Sequence, residues 1–221
     1  MQDIIIVTPH PDDETLGCGG TILKYIENGA NVHWLIVTKA GDFASKEWKA
    51  KREIEIQKIS AMYNFKSVYH LGFEAANLDQ VADSVLVKEF SEVFQKLKPT
   101  VVYVPYPGDI HSDHKAVFDA TMACTKWFRY PSVKKVLAYE TLSETDFTIN
   151  PDLNNFKPNI FVNISDYLER KIEIMKIYES EMSDFPFPRS EKAIKSLAYV
   201  RGAASGYEAA EAFMLLKERI E

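Results

Sequence analysis

The hydrophobic positions of the first 140 residues fall into short apolar runs that alternate with longer amphipathic segments. The runs are rich in β-branched residues, as expected of strands that are buried on both faces. Predicted strands cover residues 4–7, 32–37, 68–71, 101–104 and 136–139. Helical spacing predicts helices at residues 14–27, 46–62, 85–97 and 116–127. This alternation predicts an α/β fold, a Rossmann-like arrangement of three layers with a mostly parallel sheet.

The last third of the chain has a different pattern. It predicts a strand at residues 160–164 and helices at about 166–182 and 191–200, separated by Phe185-Pro186-Phe187-Pro188. No repeat or linker divides the chain. We therefore expect residues 1–221 to form a single domain whose C-terminal third is mainly helical and packs on the same core.

Composition narrows the class of protein. Hydrophobic residues make up 46% and charged residues 26%, which is typical of a globular protein, and the formal charge is −6. An acidic chain is a poor partner for nucleic acid. No run approaches the roughly 20 apolar residues of a membrane span, and no signal-peptide pattern is visible. We expect a cytoplasmic protein with no integral membrane segment; a homo-oligomer is compatible with the sequence.

Four titratable side chains crowd the segment after the first predicted strand: His10, Asp12, Asp13 and Glu14. In open parallel sheets, ligands bind beyond the carboxyl ends of the strands. Adjacent carboxylates repel one another, and a cation would relieve that repulsion. The structural alternative is that one Asp caps the following helix. Capping would leave His10 and the second Asp unexplained.

A second polar cluster follows the predicted strand at residues 101–104. It contains Asp109, His111, Asp113 and His114, so three of the five histidines of the chain lie in the two clusters. If the first and fourth strands are neighbours, both clusters face one crevice. The alternative is an exposed polar loop with a capping Asp, which is common for any one such loop. Two clusters at matching positions favour a site.

Two histidines and one carboxylate, with open positions for water, form the ligand set of a catalytic zinc ion. Such an ion would lower the pKa of its water and polarise a substrate carbonyl. The remaining carboxylate and imidazole groups would supply a base and an acid. The clusters therefore predict a hydrolase with one divalent ion per chain.

The glycine cluster Gly17-Cys18-Gly19-Gly20 could instead indicate a dinucleotide-binding turn. The third glycine of that fingerprint would fall at Ile22, and the second strand ends in Val37-Thr38-Lys39 without an acid for a ribose. We interpret these glycines as permitting close packing of the first helix on the sheet. The cysteines, Cys18 and Cys124, are far apart and are expected to be reduced.

Three motifs together resemble the PIG-L/LmbE-like family of zinc-dependent de-N-acetylases. They are Pro9-His10-Pro11-Asp12-Asp13-Glu14, Gly17-Cys18-Gly19-Gly20-Thr21 and His111-Ser112-Asp113-His114. Weaker echoes extend over most of the chain, at Arg52-Glu53, at residues 166–180 and at residues 206–213. The family removes acetyl groups from N-acetylglucosamine or related amino-sugar conjugates. The resemblance implies a small-molecule amino-sugar substrate and one Zn²⁺, with His10, Asp13 and His114 as its ligands.

The resemblance also implies roles for the other polar side chains. Asp12 matches the general base that takes a proton from the attacking water. His111 matches the imidazole that stabilises the oxyanion and protonates the leaving amine, and Asp113 matches the carboxylate that orients it. Arg52 is a candidate for substrate binding, against the alternative of a solvated helix face. Asp109 is a second candidate for substrate binding.

Two other functions compete with deacetylation. A metal-dependent phosphoesterase usually needs two metals and more carboxylates, and Asp109 is the only obvious spare one. A non-catalytic metal-binding or nucleotide-binding module would need neither Asp12 nor His111. The loops expected to recognise the substrate are residues 42–46, 73–79 and 139–157. Their sequences do not identify which N-acetylated sugar conjugate is the substrate.

Overall fold

One mixed sheet of seven strands runs through the part of the chain that the computed structural model describes, residues 2–41, 44–149 and 156–220. Its strands are β1 (Asp3–Thr8), β2 (Asn31–Lys39), β3 (Ser67–Glu74), β4 (Val101–Pro105), β5 (Lys135–Tyr139), β6 (Ile160–Asn163) and β7 (Ala210–Glu218). Their order across the sheet is β3-β2-β1-β4-β5-β7-β6. The first five strands are parallel, and β7 runs antiparallel to both β5 and β6.

Helices cover both faces of the sheet. They are α1 (Asp13–Glu27), α2 (Lys46–Tyr63), α3 (Asp83–Leu97), α4 (Ser112–Ala123), α5 (Leu168–Met175) and α6 (Glu191–Ala203). In β1, Ile4 and Ile6 join the core under α1, α2, α5 and α6, whereas Ile5 and Val7 join the core under α3 and α4. This alternation follows from the two-residue period of a strand. The predicted single-domain, three-layer α/β fold is confirmed.

The C-terminal third differs from the prediction, because it adds β7 to the sheet. Residues 210–218 are mostly Ala, Glu, Met, Leu and Lys, which favour helices, but pairing with β5 and β6 on both edges overrides that preference. The helix predicted at 166–182 is only α5, with 3-10 turns at Ser165–Tyr167 and Glu179–Glu181. Helix α4 begins four residues before its predicted start, since its first turn carries polar residues that hide the apolar period.

Helix α1 packs very close to the sheet. A Cβ on Gly17 would overlap the ring of Tyr139, and one on Gly20 would lie 2.6 Å from Cγ2 of Ile164. The interpretation of these glycines as packing positions is therefore confirmed. None of the described helices is both long and apolar enough to cross a membrane.

A buried ion pair fastens this helix to the C-terminal elements. Glu211 of β7 accepts hydrogen bonds from the backbone N–H groups of Gly20 (2.9 Å) and Thr21 (2.8 Å). Lys171 of α5 donates to Glu211 (2.7 Å) and to the carbonyl of Leu16 (2.8 Å). Because α1 begins at the polar segment after β1, these contacts fix the position of that segment.

Candidate metal centre and catalytic site

Strands β1 and β4 are neighbours in the sheet, as the crevice hypothesis requires. The loops that follow them lie at the same edge, where they place His10 and Asp13 next to His114. A cavity of about 590 Å³ opens beside them, and His111 lines it together with His10 and Asp13. The two sequence clusters therefore meet at one site.

His10, Asp13 and His114 form a compact set of donors. One ligand atom from each lies within 4.8 Å of the others. Oδ2 of Asp13 is 3.5 Å from Nδ1 of His10 and 3.6 Å from Nε2 of His114. That Nε2 atom is buried and has no hydrogen-bond partner among the described residues. A buried, unpaired imidazole nitrogen facing a carboxylate fits a metal ligand, and this donor set suits zinc.

Asp109 contacts the other ring nitrogen of His114. Its Oδ2 atom lies 2.7 Å from Nδ1 of His114, and Oδ1 accepts a hydrogen bond from Thr145 Oγ1 at 2.5 Å. A proton on Nδ1 leaves the lone pair of Nε2 facing Asp13. The sequence suggested that Asp109 binds substrate. The structure instead buries this carboxylate and engages both of its oxygens inside the protein.

Asp113 contacts His10 rather than the histidine implied by the family resemblance. Its Oδ2 atom lies 3.0 Å from Nε2 of His10 and accepts the Ala76 backbone N–H at 2.8 Å. The distance from Oδ2 to Nδ1 of His111 is 4.0 Å. Nδ1 of His111 accepts the backbone N–H of Asp113 at 3.2 Å, as the N-cap of α4. In neutral His111, Nε2 therefore carries the proton.

Burial and neighbouring charges shift the titration of these groups. Burial, assisted by the positive charge of His10, lowers the pKa of His111 to about 4. Burial raises the pKa of Asp12, whereas the guanidinium of Arg189, 2.8 Å from Oδ2, opposes this shift and favours the ionised carboxylate that can accept a proton. Burial also acts to raise the pKa of Asp13, but the charges of His114 and His10 outweigh it and hold that pKa well below its usual range.

Asp12 has an unusual backbone and does not cap α1 with its side chain. It is the N-cap residue, with φ 125° and ψ −29°, and its carboxylate makes no capping hydrogen bond. Glu14 Oε2 instead accepts the Asp12 backbone N–H at 3.0 Å. A positive φ costs a non-glycine residue about 1–3 kcal/mol and is often found at functional sites. Capping therefore does not account for Asp12, which is 4% exposed.

Arg52 is buried rather than solvated. Its guanidinium donates to the carbonyl of Pro11 at 3.1 Å and pairs with Glu181. It lies over the rings of Trp48 and Tyr178, at 4.8 and 5.0 Å from their centroids. The solvated helix face is thus excluded. Arg52 lines the cavity, while its described hydrogen bonds support the loop after β1.

Sequence reasoning missed Arg189, which also lines the cavity. Its Nη1 atom donates to Oδ2 of Asp12 and to Oε2 of Glu181, each at 2.8 Å. Arg189 directly precedes Ser190, the N-cap of α6. In the sequence, Arg189 is a single arginine directly after the Pro-rich break. No rule of residue spacing connects that position to Asp12, so the sequence did not identify it as part of the site.

The predicted recognition loops contribute part of the cavity wall. Ala75, Ala76 and Glu144 line it, together with Trp48 and His70, which lie outside those loops. Residues 42–43 and 150–155 of the predicted loops lie outside the described residues.

The family model for PIG-L, the GlcNAc-PI de-N-acetylase, matches residues 5–125, and the chain belongs to this family. It is 25% identical to the diacetylchitobiose deacetylase of Thermococcus kodakarensis over 220 residues, covering 96% of this chain and 82% of that protein.

Two further proteins are similar to this chain over most of its length. A probable N-acetyl-alpha-D-glucosaminyl L-malate deacetylase 2 of Bacillus anthracis is 24% identical, with 82% of each chain covered. The crystal structure of the conserved protein TT1542 from Thermus thermophilus superimposes with a TM-score of 0.81 at 25% identity, covering 100% of this chain and 97% of that one.

Proposed function

We propose that this protein is a zinc-dependent hydrolase that removes the acetyl group from an N-acetylated amino sugar of the N-acetylglucosamine type, or from its conjugate. One observation carries the proposal: His10, Asp13 and the unpaired, buried Nε2 of His114 converge beside a cavity that Asp12 and His111 also line. The family assignment supports it, as do the relatives named for deacetylating diacetylchitobiose and an N-acetylglucosaminyl malate.

His10, Asp13 and His114 would hold the ion. A divalent ion bound there would make water more acidic and polarise the amide carbonyl of the substrate. Asp113 and Asp109 hydrogen-bond to the ring nitrogens that do not approach Asp13, and would thereby orient the two imidazoles toward an ion. Such outer contacts fix the tautomer and raise the basicity of a ligand.

Asp12 would move the proton in this reaction. As the oxygen of water adds to the acetyl carbonyl carbon, Asp12 takes the proton that the water loses. The C–N bond then breaks, and the amine nitrogen must gain a proton to leave as a neutral amine. Asp12 holds that proton after the first step and can return it. The second proton of the water stays on the new carboxyl group and passes to the released amine, so the products are acetate and the ammonium form of the amino sugar, and the protons balance.

His111 is suited to stabilise the oxyanion as a neutral donor. Its pKa is lowered to about 4, so the ring is uncharged near neutral pH, and its Nε2–H is available for a hydrogen bond. This assignment differs from the acid role implied by the family resemblance. A neutral donor still favours the transition state, where negative charge develops on the carbonyl oxygen.

The described residues favour one ion over two. The other set of donors, His10, His111 and Asp113, shares His10 with the first. A two-metal phosphoesterase would need a second, independent set. The same geometry disfavours a purely binding role, because neither Asp12 nor His111 belongs to the proposed ligand set.

Acetate release tests this function directly. The purified chain, stripped with a chelator and reloaded with zinc, is assayed on N-acetylglucosamine, N,N′-diacetylchitobiose and N-acetylglucosaminyl malate. We expect acetate from at least one substrate, loss of activity on stripping and recovery with zinc. If zinc-loaded protein releases acetate from none of them and hydrolyses a phosphoester instead, the proposal is wrong.

A further inference from the structure

A single guanidinium joins the segment after β1 to two other loops. Arg189 reaches Asp12 and Glu181 through Nη1, and its Nε donates to Oγ of Ser143 at 2.9 Å. Its Nη2 lies 3.4 Å from Oε1 of Glu144. Contacts on several sides fix the plane of the guanidinium before any substrate arrives.

The anchoring of Arg189 begins in its local sequence. Ser190, the next residue, is buried and caps α6 by accepting the backbone N–H of Ala193 at 3.2 Å. The backbone at Arg189 is therefore tied to the start of a helix. The Arg189 side chain still has many possible rotamers, and the hydrogen-bond partners of its guanidinium group select one of them.

Asp12 needs such support more than its neighbours do. Its backbone is strained, its carboxylate makes no capping bond, and it lies next to the carboxylate of Asp13. A buried carboxylate without a partner is strongly disfavoured. Among the described residues, Arg189 is the cation that hydrogen-bonds to Asp12. Arg52, the buried arginine nearby, is hydrogen-bonded to Pro11 and Glu181 instead.

We propose that Arg189 is a positioning residue for Asp12. It binds Oδ2 and so turns the other oxygen, Oδ1, toward the attacking water. The inference rests on the proposed function, in which Asp12 moves the proton. An arginine suits this task better than a lysine, because its planar fork bonds in several directions at once and fixes an orientation as well as a charge.

Kinetics on the zinc-loaded protein test the inference. Arg189→Gln should lower kcat at least about tenfold, which is part of the 10²–10⁴-fold that a general base contributes, and should change KM less than about threefold. Zinc content should stay at one per chain. Arg189→Lys should recover only part of the loss, and guanidinium ion added to Arg189→Ala should restore some activity.

The double variant separates positioning from an independent effect. In an Asp12→Asn background, Arg189→Gln should have little further effect, because residues that act as a unit are strongly non-additive. Arg201→Gln is the matched control: Arg201 is comparably exposed (23% against 19%) and pairs with Glu140, but it does not line the cavity. Its kcat should stay near wild type. An equal loss in both backgrounds, or a raised KM with unchanged kcat, would overturn the inference.

A stability measurement distinguishes failure of this inference from failure of the proposed function. Urea unfolding of wild type, Asp12→Asn, Arg189→Gln and the double variant gives the coupling between the two side chains without any substrate. A coupling near zero rejects the positioning role whether or not the protein is active. A wild type that releases no acetate but shows coupling rejects the proposed function and leaves the contact established.

Discussion

Oδ2 of Asp113 lies 3.0 Å from Nε2 of His10, a residue 103 positions earlier in the chain. The contact joins the loop after β1 to the first turn of α4. It gives Asp113 a role in holding a candidate metal ligand, whereas the family resemblance paired it with His111.

The first prediction follows from this contact. Asp113→Asn should weaken zinc binding by about 10–100-fold, because an outer partner of a ligating histidine makes the ligand more basic and fixes its orientation. Competition with a chromogenic chelator measures the affinity. Asp119→Asn is the control, since Asp119 lies on the same helix but pairs with Lys115 at the surface. Unchanged affinity together with a shifted alkaline limb of kcat/KM would favour the His111 pairing instead.

The second prediction concerns the ligands themselves. His10→Ala and His114→Ala should each lose bound zinc, because two remaining protein ligands hold the ion poorly. Elemental analysis of the purified variants gives the metal content. His70→Ala, which removes an exposed histidine that lines the cavity, should retain one zinc per chain. Full zinc in either of the first two variants would reject the ligand set.

The third prediction tests the base. Asp12→Asn should keep its zinc and lose about 10²–10⁴-fold in kcat, because the amide is nearly isosteric but cannot accept the proton of the water. Steady-state kinetics and metal analysis on the same preparation measure the loss in kcat and the zinc content. Turnover within a few-fold of wild type would mean that another group takes the proton.

The fourth prediction concerns His111 and pH. With its pKa lowered to about 4, His111 is neutral above about pH 5 and changes charge only below that, so it should not set an alkaline limb of kcat/KM. His111→Ala should lose about 10²–10³-fold in kcat, as expected for an oxyanion donor. His111→Gln, which keeps an N–H donor, should retain more activity and the same alkaline limb. An alkaline limb that disappears in His111→Gln would show that His111 acts as the acid.

The fifth prediction lies away from the cavity. Cys18 and Cys124 are fully buried free thiols, and burial raises the pKa of both. Because the thiolate is the reactive form, neither should react with a thiol reagent in the folded protein. Two thiols per chain should react after denaturation. Rapid labelling of one thiol in the native state would mean that its part of the core opens readily.

Features with a local signal were predictable from sequence. The strand and helix periods located β1 to β6, and the two polar clusters identified the donors, because each cluster is nearly contiguous in the chain. The sequence alone did not show that β1 and β4 are neighbours, but a shared crevice required it. In parallel sheets, the loops after two neighbouring strands lie at the same edge, and this brings His10 and His114 together.

Features that depend on tertiary contacts were not predictable. Arg189 reaches Asp12 across 177 positions, and nothing in either local sequence indicates the partner. The contacts of Asp109 and Asp113 depend on side-chain direction within a loop, which residue spacing does not determine. Strand β7 was missed because its helix-favouring residues become a strand only when two partner strands are present.

The position of β7 also has a consequence for how the molecule is made. It is the last strand of the sheet in chain order, but it lies between β5 and β6, both of which leave the ribosome earlier. Strand β6 pairs only with β7 in the described sheet, so it has no place to dock until β7 has emerged. The ion pair of Lys171 with Glu211, which fastens α1, likewise waits for β7. A nascent chain can therefore assemble the parallel half of the sheet first, but the support for its polar loop arrives only after all the other strands of the described sheet have been made.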